Sequence, residues 1–134
     1  MREVKFRVWD KEDNIMIDGE YWLLLDSMGC VYEYKMGRLS DESKKYDVMQ
    51  YTGLKDKNGK EIYEGDIVDG EFRINVNGKD DITTGKIKYY SPSFCICPPN
   101  SSKFIMPYND NILVEKNTNY RVVGNIYEHK HLLK

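Results

Sequence analysis

The chain has 134 residues, with 20 basic and 22 acidic side chains and a formal net charge of −2; that is the length of one ordinary domain, enough to bury a core. Hydrophobic residues make up 40%, 11 residues are Tyr and alanine is absent, which excludes a disordered polyelectrolyte and leans toward strand. No apolar run approaches the roughly 20 residues of a membrane-spanning helix.

In chain order, Glu3–Trp9 alternates, with Val4, Phe6 and Val8 on one side and Lys5 and Arg7 on the other, and so predicts a half-buried strand. A polar turn over Asp10–Asn14 leads to a second strand from Ile15, making a hairpin. Glu20–Asp26 and Cys30–Met36 flank the loop Ser27-Met28-Gly29 and predict another hairpin. Residues 37–45 mix charges and predict a flexible loop, and Tyr46–Thr52 resumes as strand, with Tyr46, Val48 and Gln50 on one face. Asn58-Gly59 suits a type I′ turn, and Glu64-Gly65-Asp66 a second tight turn, so Thr52–Val68 predicts a compact corner. Phe72–Val76 is a strand, 79–85 a polar loop, and Lys86–Tyr90 and Phe94–Cys97 two further strands. Pro98-Pro99 breaks the sheet, because proline cannot donate to a central ladder. Ile112–Lys116 and Arg121–Tyr127 are the last strands, and 128–133 makes one short helical turn.

The sum is a mainly β chain of short antiparallel strands forming a small barrel-like or two-sheet architecture, with at most a short C-terminal helical turn. It predicts a single domain over 1–134, with a subdivision near residue 60 into an N-terminal β part and a C-terminal barrel-like part.

Three segments carry a resemblance. Met1–Lys11 (Met-Arg-Glu-Val-Lys-Phe-Arg-Val-Trp-Asp-Lys) resembles the opening of the YopX family of small phage and prophage proteins. Met49–Val68 is similar to that family's central signature, and Val123–Glu128, followed by Leu132-Leu133, to its closing motif. The resemblance implies an intracellular, phage-encoded, mostly β protein of the bacterial host's cytoplasm, and carries over no catalytic, cofactor-binding or metal-binding residue. Residues 70–120 lie where the family supplies no firm pattern. Gly53, Gly59, Gly65 and Gly124 read as backbone requirements of turns or bulges, and Trp9, Tyr51, Tyr63 and Tyr127 as core rims.

The chemistry-bearing residues are weighed in turn. Cys95-x-Cys97 with His129-x-His131 offers four zinc-ligand types, but Cys two apart on a strand sit about 7 Å apart, awkward for one ion. The plainer reading makes the cysteines small hydrophobes and the histidines exposed tail residues. Three cysteines without a secretory leader predict reduced thiols in a cytosol. Glu61, Glu64, Asp66 and Asp69 hold the ingredients of acid–base or Mg²⁺ chemistry, yet carboxylates beside a glycine turn are ordinary turn formers. Lys5, Arg7, Arg73, Lys86 and Lys88 alternate with strand aromatics and would line a single-stranded nucleic-acid groove if they gathered on one face. The net acidity argues against that.

The leading expectation is therefore a non-enzymatic accessory protein, an all-β interaction module that uses no cofactor and meets host or phage proteins or a second copy of itself. A single-stranded nucleic-acid-binding small β-barrel is the alternative, and a metal-dependent hydrolase or nuclease the second.

Overall fold

The computed structural model describes residues 3–18, 23–74, 80–90, 93–97, 99 and 120–133, with backbone alone for 71–74, 80–83, 90 and 93. The strands are β1 (Phe6–Asp10), β2 (Ile15–Asp18), β3 (Leu23–Leu25), β4 (Val31–Lys35), β5 (Arg38–Asp41), β6 (Tyr46–Lys55), β7 (Glu61–Tyr63), β8 (Asp66–Ile74), β9 (Asp80–Tyr90), β10 (Ser93–Cys97) and β11 (Arg121–Asn125). A short 3-10 turn, Lys130–Leu133, follows. Every pairing among the described residues is antiparallel, and the fold is mainly β as the composition predicts.

The chain gathers into two compact units, Val4–Gln50 and Tyr51–Lys134 with the first three residues. In the first, β1 pairs with β2 on one side and the start of β6 on the other, while β3, β4 and β5 form a separate three-stranded sheet. Val8, Ile17, Val31 and Tyr46 are the buried core, with Leu23, Leu25 and Val48 packed against it. In the second, the remainder of β6 pairs with β7, and a four-stranded sheet runs β10-β9-β8-β11. Its core is Ile62, Val68, Ile87, Phe94, Ile96 and Tyr120. Those six side chains come from positions spread over 59 residues of sequence, so the core is assembled by sheet pairing rather than by any one local segment.

Three local expectations are corrected. Residues 37–45 are no plain loop, because 38–41 form β5, fully paired with β4 from Lys35↔Arg38 to Tyr32↔Asp41. All four residues of β5 are exposed, so no buried face imprints an apolar period on the sequence. The connection is Met36-Gly37, both with positive φ (50° and 77°), which is the geometry of a type I′ turn. Likewise 80–85 continues β9, held by the long hairpin with β8 that runs from Ile67↔Lys86 to Ile74↔Asp80.

The third correction concerns Asn58-Gly59. Only Gly59 has positive φ, at 81°. Gly59 N–H donates to the Asp56 carbonyl at 2.9 Å, and Asp56 N–H to the Lys60 carbonyl at 2.8 Å. This is a three-residue loop, a type I turn followed by one left-handed glycine. Asp56 selects it by accepting the Asn58 and Lys60 N–H groups on one carboxylate oxygen (2.8 and 2.9 Å). The strand expected over Ile112–Lys116 lies outside the described residues.

Candidate functional site

The corner predicted around Thr52–Val68 is built from backbone hydrogen bonds. Gly65, at φ 82°, donates its N–H to Ile87 and accepts from Ile126 N–H (2.8 and 2.9 Å), so its peptide is clasped between β9 and the residue after β11. Asp66, 1% exposed, accepts Tyr63 N–H at 2.8 Å. Thr52 Oγ1 donates to the Ile62 carbonyl at 2.8 Å. The rings of Tyr51 and Tyr63 pack 5.4 Å apart, and the Tyr63 hydroxyl donates to Glu61 at 3.0 Å. Asp69 faces Arg121 at 3.6 Å across the β8–β11 pair. Of the four carboxylates considered for catalysis, Glu61 and Asp66 are thus committed to this corner, and Asp69 is paired with Arg121 beside it.

The cysteines and histidines are placed apart. Cys95 and Cys97 are buried on β10, opposite Lys88 and Lys86, and burial pushes both thiols up. His129 follows β11, which lies at the other edge of that sheet, and its Nδ1 accepts the Asn125 N–H at 3.3 Å. Its ring lies 6.2 Å from that of His131. Among the described residues, no group of three or more His, Cys, Asp or Glu is placed to hold a metal ion. The basic residues divide as well. Lys5 and Arg7 belong to the first unit, and Arg73, Lys86 and Lys88 to the second.

Two features of the first unit were not foreseen. One is a buried charge cluster. Lys45 Nζ lies 3.3 Å from Asp10 and 3.3 Å from Glu33, and 3.6 Å from Glu12. The Tyr46 hydroxyl donates to Glu33 Oε1, and Lys35 pairs with Glu33 Oε2. The bond from Lys35, then that from Tyr46, holds the Glu33 carboxyl at about 2, against the opposing effect of burial. Burial alone would lower Lys45, but its bonds to Glu33 and Asp10 prevail and raise it. Burial, then the bond to Glu33, moves the Tyr46 phenol to about 12. Glu33 is therefore a fixed carboxylate at neutral pH, with no proton to give. The cluster binds β1, β4 and the start of β6 to one another. No spacing rule pairs Glu33 with Lys45, since each stands in a different strand or loop.

The other feature is the outer face of the β3–β4–β5 sheet. Register places Leu24, Tyr32, Tyr34, Leu39 and Asp41 on one side of it. The opposite side turns Leu23, Leu25 and Val31 into the core. Leu24, Tyr34 and Leu39 are 49%, 56% and 54% exposed, and Met36 at the turn beside them is completely exposed. Asp26 anchors the face at one end, accepting the Tyr32 hydroxyl at 3.2 Å and the Met28 and Cys30 N–H groups. A large apolar set on a sheet's water side is the exception that calls for a functional account.

The sequence pattern of the YopX protein family matches residues 5–134. The chain belongs to the YopX family. No curated protein matches it. The chain is similar to protein EF1440 from Enterococcus faecalis, whose crystal structure superposes with a TM-score of 0.63 over 100% of both chains at 24% identity, which shows a shared fold. Within this YopX-family chain, the central and closing motifs meet where Ile126 donates to Gly65, and Asp56 holds Val122, the residue just before the closing motif. Their geometry specifies a corner of the fold, so function is sought away from it. No helix among the described residues is long and apolar enough to cross a membrane.

Proposed function

We propose that this YopX-family protein is a non-enzymatic, prophage-encoded accessory module of the bacterial cytoplasm, which acts through protein contacts made by the outer face of its β3–β4–β5 sheet. The observation that carries this reading is the adjacency of Leu24, Tyr34 and Leu39, each about half exposed or more on one sheet face. Tyr and Met are residues that interface centres favour. The β5 strand adds a second invitation. Among the described residues it pairs only with β4, leaving main-chain groups for a partner strand. The three free cysteines suit a reducing compartment.

The test compares wild type with Tyr34→Asp/Leu39→Asp. The tagged proteins are crosslinked in induced host cells, and captured proteins are identified by mass spectrometry. Sedimentation velocity on the purified proteins reads self-association. Partners or dimers lost by the variant alone, with its far-UV spectrum unchanged, support the reading. Retention of every partner by the folded variant, or a wild type that stays alone in both measurements, overturns it.

A further inference from the structure

The residues of β5 are all exposed, and among the described residues its far edge has no neighbour. Glu42 continues the strand, because its N–H donates to the Val31 carbonyl at 2.9 Å. Along an antiparallel strand, successive residues turn their main-chain groups to opposite edges. Arg38, Ser40 and Glu42 therefore direct theirs to β4, and Leu39 and Asp41 direct theirs to the free edge. The extended stretch stops at the Met36-Gly37 turn on one side. On the other it stops at the turn closed by Lys45 N–H on the Glu42 carbonyl. Its sequence, Arg38-Leu39-Ser40-Asp41-Glu42, is basic at the start and acidic at the end. Among the described residues, neither the Arg38 nor the Glu42 side chain has an ion-pair partner. An antiparallel copy of the same stretch supplies one to each, and opposite charges facing each other across strands attract.

We infer that the free edge of β5 takes the β5 of a second copy of this chain, antiparallel and centred on Ser40. Two-fold symmetry makes such a contact self-complementary, and the free groups of Leu39 and Asp41 limit its register. Centred on Leu39, the pairing runs into the Met36-Gly37 turn. Centred on Asp41, it sets the two Asp41 carboxylates directly opposite, where they repel. Centred on Ser40, it uses 38–42 in full. Leu39 of each copy then exchanges main-chain hydrogen bonds with Asp41 of the other, and Arg38 stands opposite Glu42 on both sides of the axis. The Leu39 side chains lie diagonally across the seam on the outer face, within reach of each other. The inference rests on the reading that the chain works through protein contacts at this sheet, and it names the partner.

Sedimentation velocity on the full chain tests this, at about 100 μM protein in about 50 mM salt, where exposed charges are weakly screened. Wild type is expected to form a dimer. Arg38→Glu alone, or Glu42→Arg alone, turns both attractive pairs into like-charge pairs. Each is expected to weaken the dimer at least about tenfold, as reversing two exposed ion pairs gives. The double reversal Arg38→Glu/Glu42→Arg restores it. Mixing the two single variants also restores it, as a heterodimer, because each altered residue then meets its opposite charge. These are exposed or half-buried positions, and an unchanged far-UV spectrum verifies that each variant folds. A monomeric wild type overturns the inference, as does a dimer that survives both single reversals or one that mixing fails to restore. Those results leave the outer face to its own capture experiment. Proteins captured by a monomeric wild type and lost by Tyr34→Asp/Leu39→Asp still support that reading.

Discussion

The Asp56 carboxylate accepts the backbone N–H of Val122, 66 positions further along the chain, at 2.9 Å. Its other oxygen holds the Asn58 and Lys60 N–H groups. One side chain thus closes a local turn and fastens β11 at the residue before the family's closing motif. Burial alone would raise the carboxyl, but the bond from Val122 and those from the turn prevail and lower it. Asp56→Ala leaves three N–H groups without this acceptor and is expected to cost about 3 kcal/mol or more, as losses of hydrogen bonds to a charged group do. Asp56→Asn, which keeps one acceptor oxygen, loses less. Urea unfolding of the two variants checks the order.

Glu33 gives the protein an acid limb. Its carboxyl sits at about 2 in the fold against an ordinary 4.5, with Lys35 and then Tyr46 as the largest causes. A lowered folded value contributes stability that is complete above the ordinary value and lost as pH falls toward the folded one. The urea midpoint is therefore expected to hold steady near neutrality and to fall between about 4.5 and 2. Glu33→Gln, which has no such proton to take up, starts lower and falls less steeply. A variant that tracks wild type in slope assigns the acid limb to other carboxylates.

Met36 occupies the left-handed region, φ 50°, with its side chain wholly in water. A non-glycine residue there costs on the order of 1–2 kcal/mol, and Asn bears it more easily. Met36→Asn, which recreates the Asn-Gly pair of type I′ turns, is expected to stabilise the first unit by about 1 kcal/mol. The thermal midpoint reads this, and an unchanged or lower midpoint refutes it.

At Gly124 the constraint is space. A Cβ built there would stand 2.6 Å from Cγ of His129. Gly124→Ala is expected to cost about 1–3 kcal/mol, the range for forcing extra volume into a packed site. In a His129→Gly background, which removes both the ring and the Cβ that would stand 2.8 Å away, the same change costs much less. A double-mutant cycle with no coupling removes the ring as the cause.

Sequence reading reached the parts of this fold where one face is buried. The alternation of Val4, Phe6 and Val8 marks β1, although the strand begins at Phe6, where pairing with β6 starts, and of the three side chains Val8 alone is buried while Val4 and Phe6 are exposed. The hairpin of β3 and β4 was visible in its aromatic and apolar runs. What escaped were strands held by pairing alone, since the exposed β5 and the polar start of β9 carry no hydrophobic period. The choice of turn at Asn58-Gly59 escaped for another reason. The side chain of Asp56, two residues earlier, overrides the preference of the pair. The cluster around Lys45 and the outer face of β3–β4–β5 depend on register between strands, which a linear pattern does not encode.

The Asp56–Val122 bond also sets an order of events during synthesis. A nascent chain that has emerged through β10 already carries every residue of the Asp56 turn, but half a chain length separates that turn from its last partner. Until β11 arrives, β8 has one bare edge among the described residues, because β11 is its neighbour on that side. A bare edge strand recruits other chains. Premature termination just before Arg121 therefore leaves a polypeptide with most of its core residues and an adhesive border, more prone to co-aggregate on the ribosome than one cut far earlier.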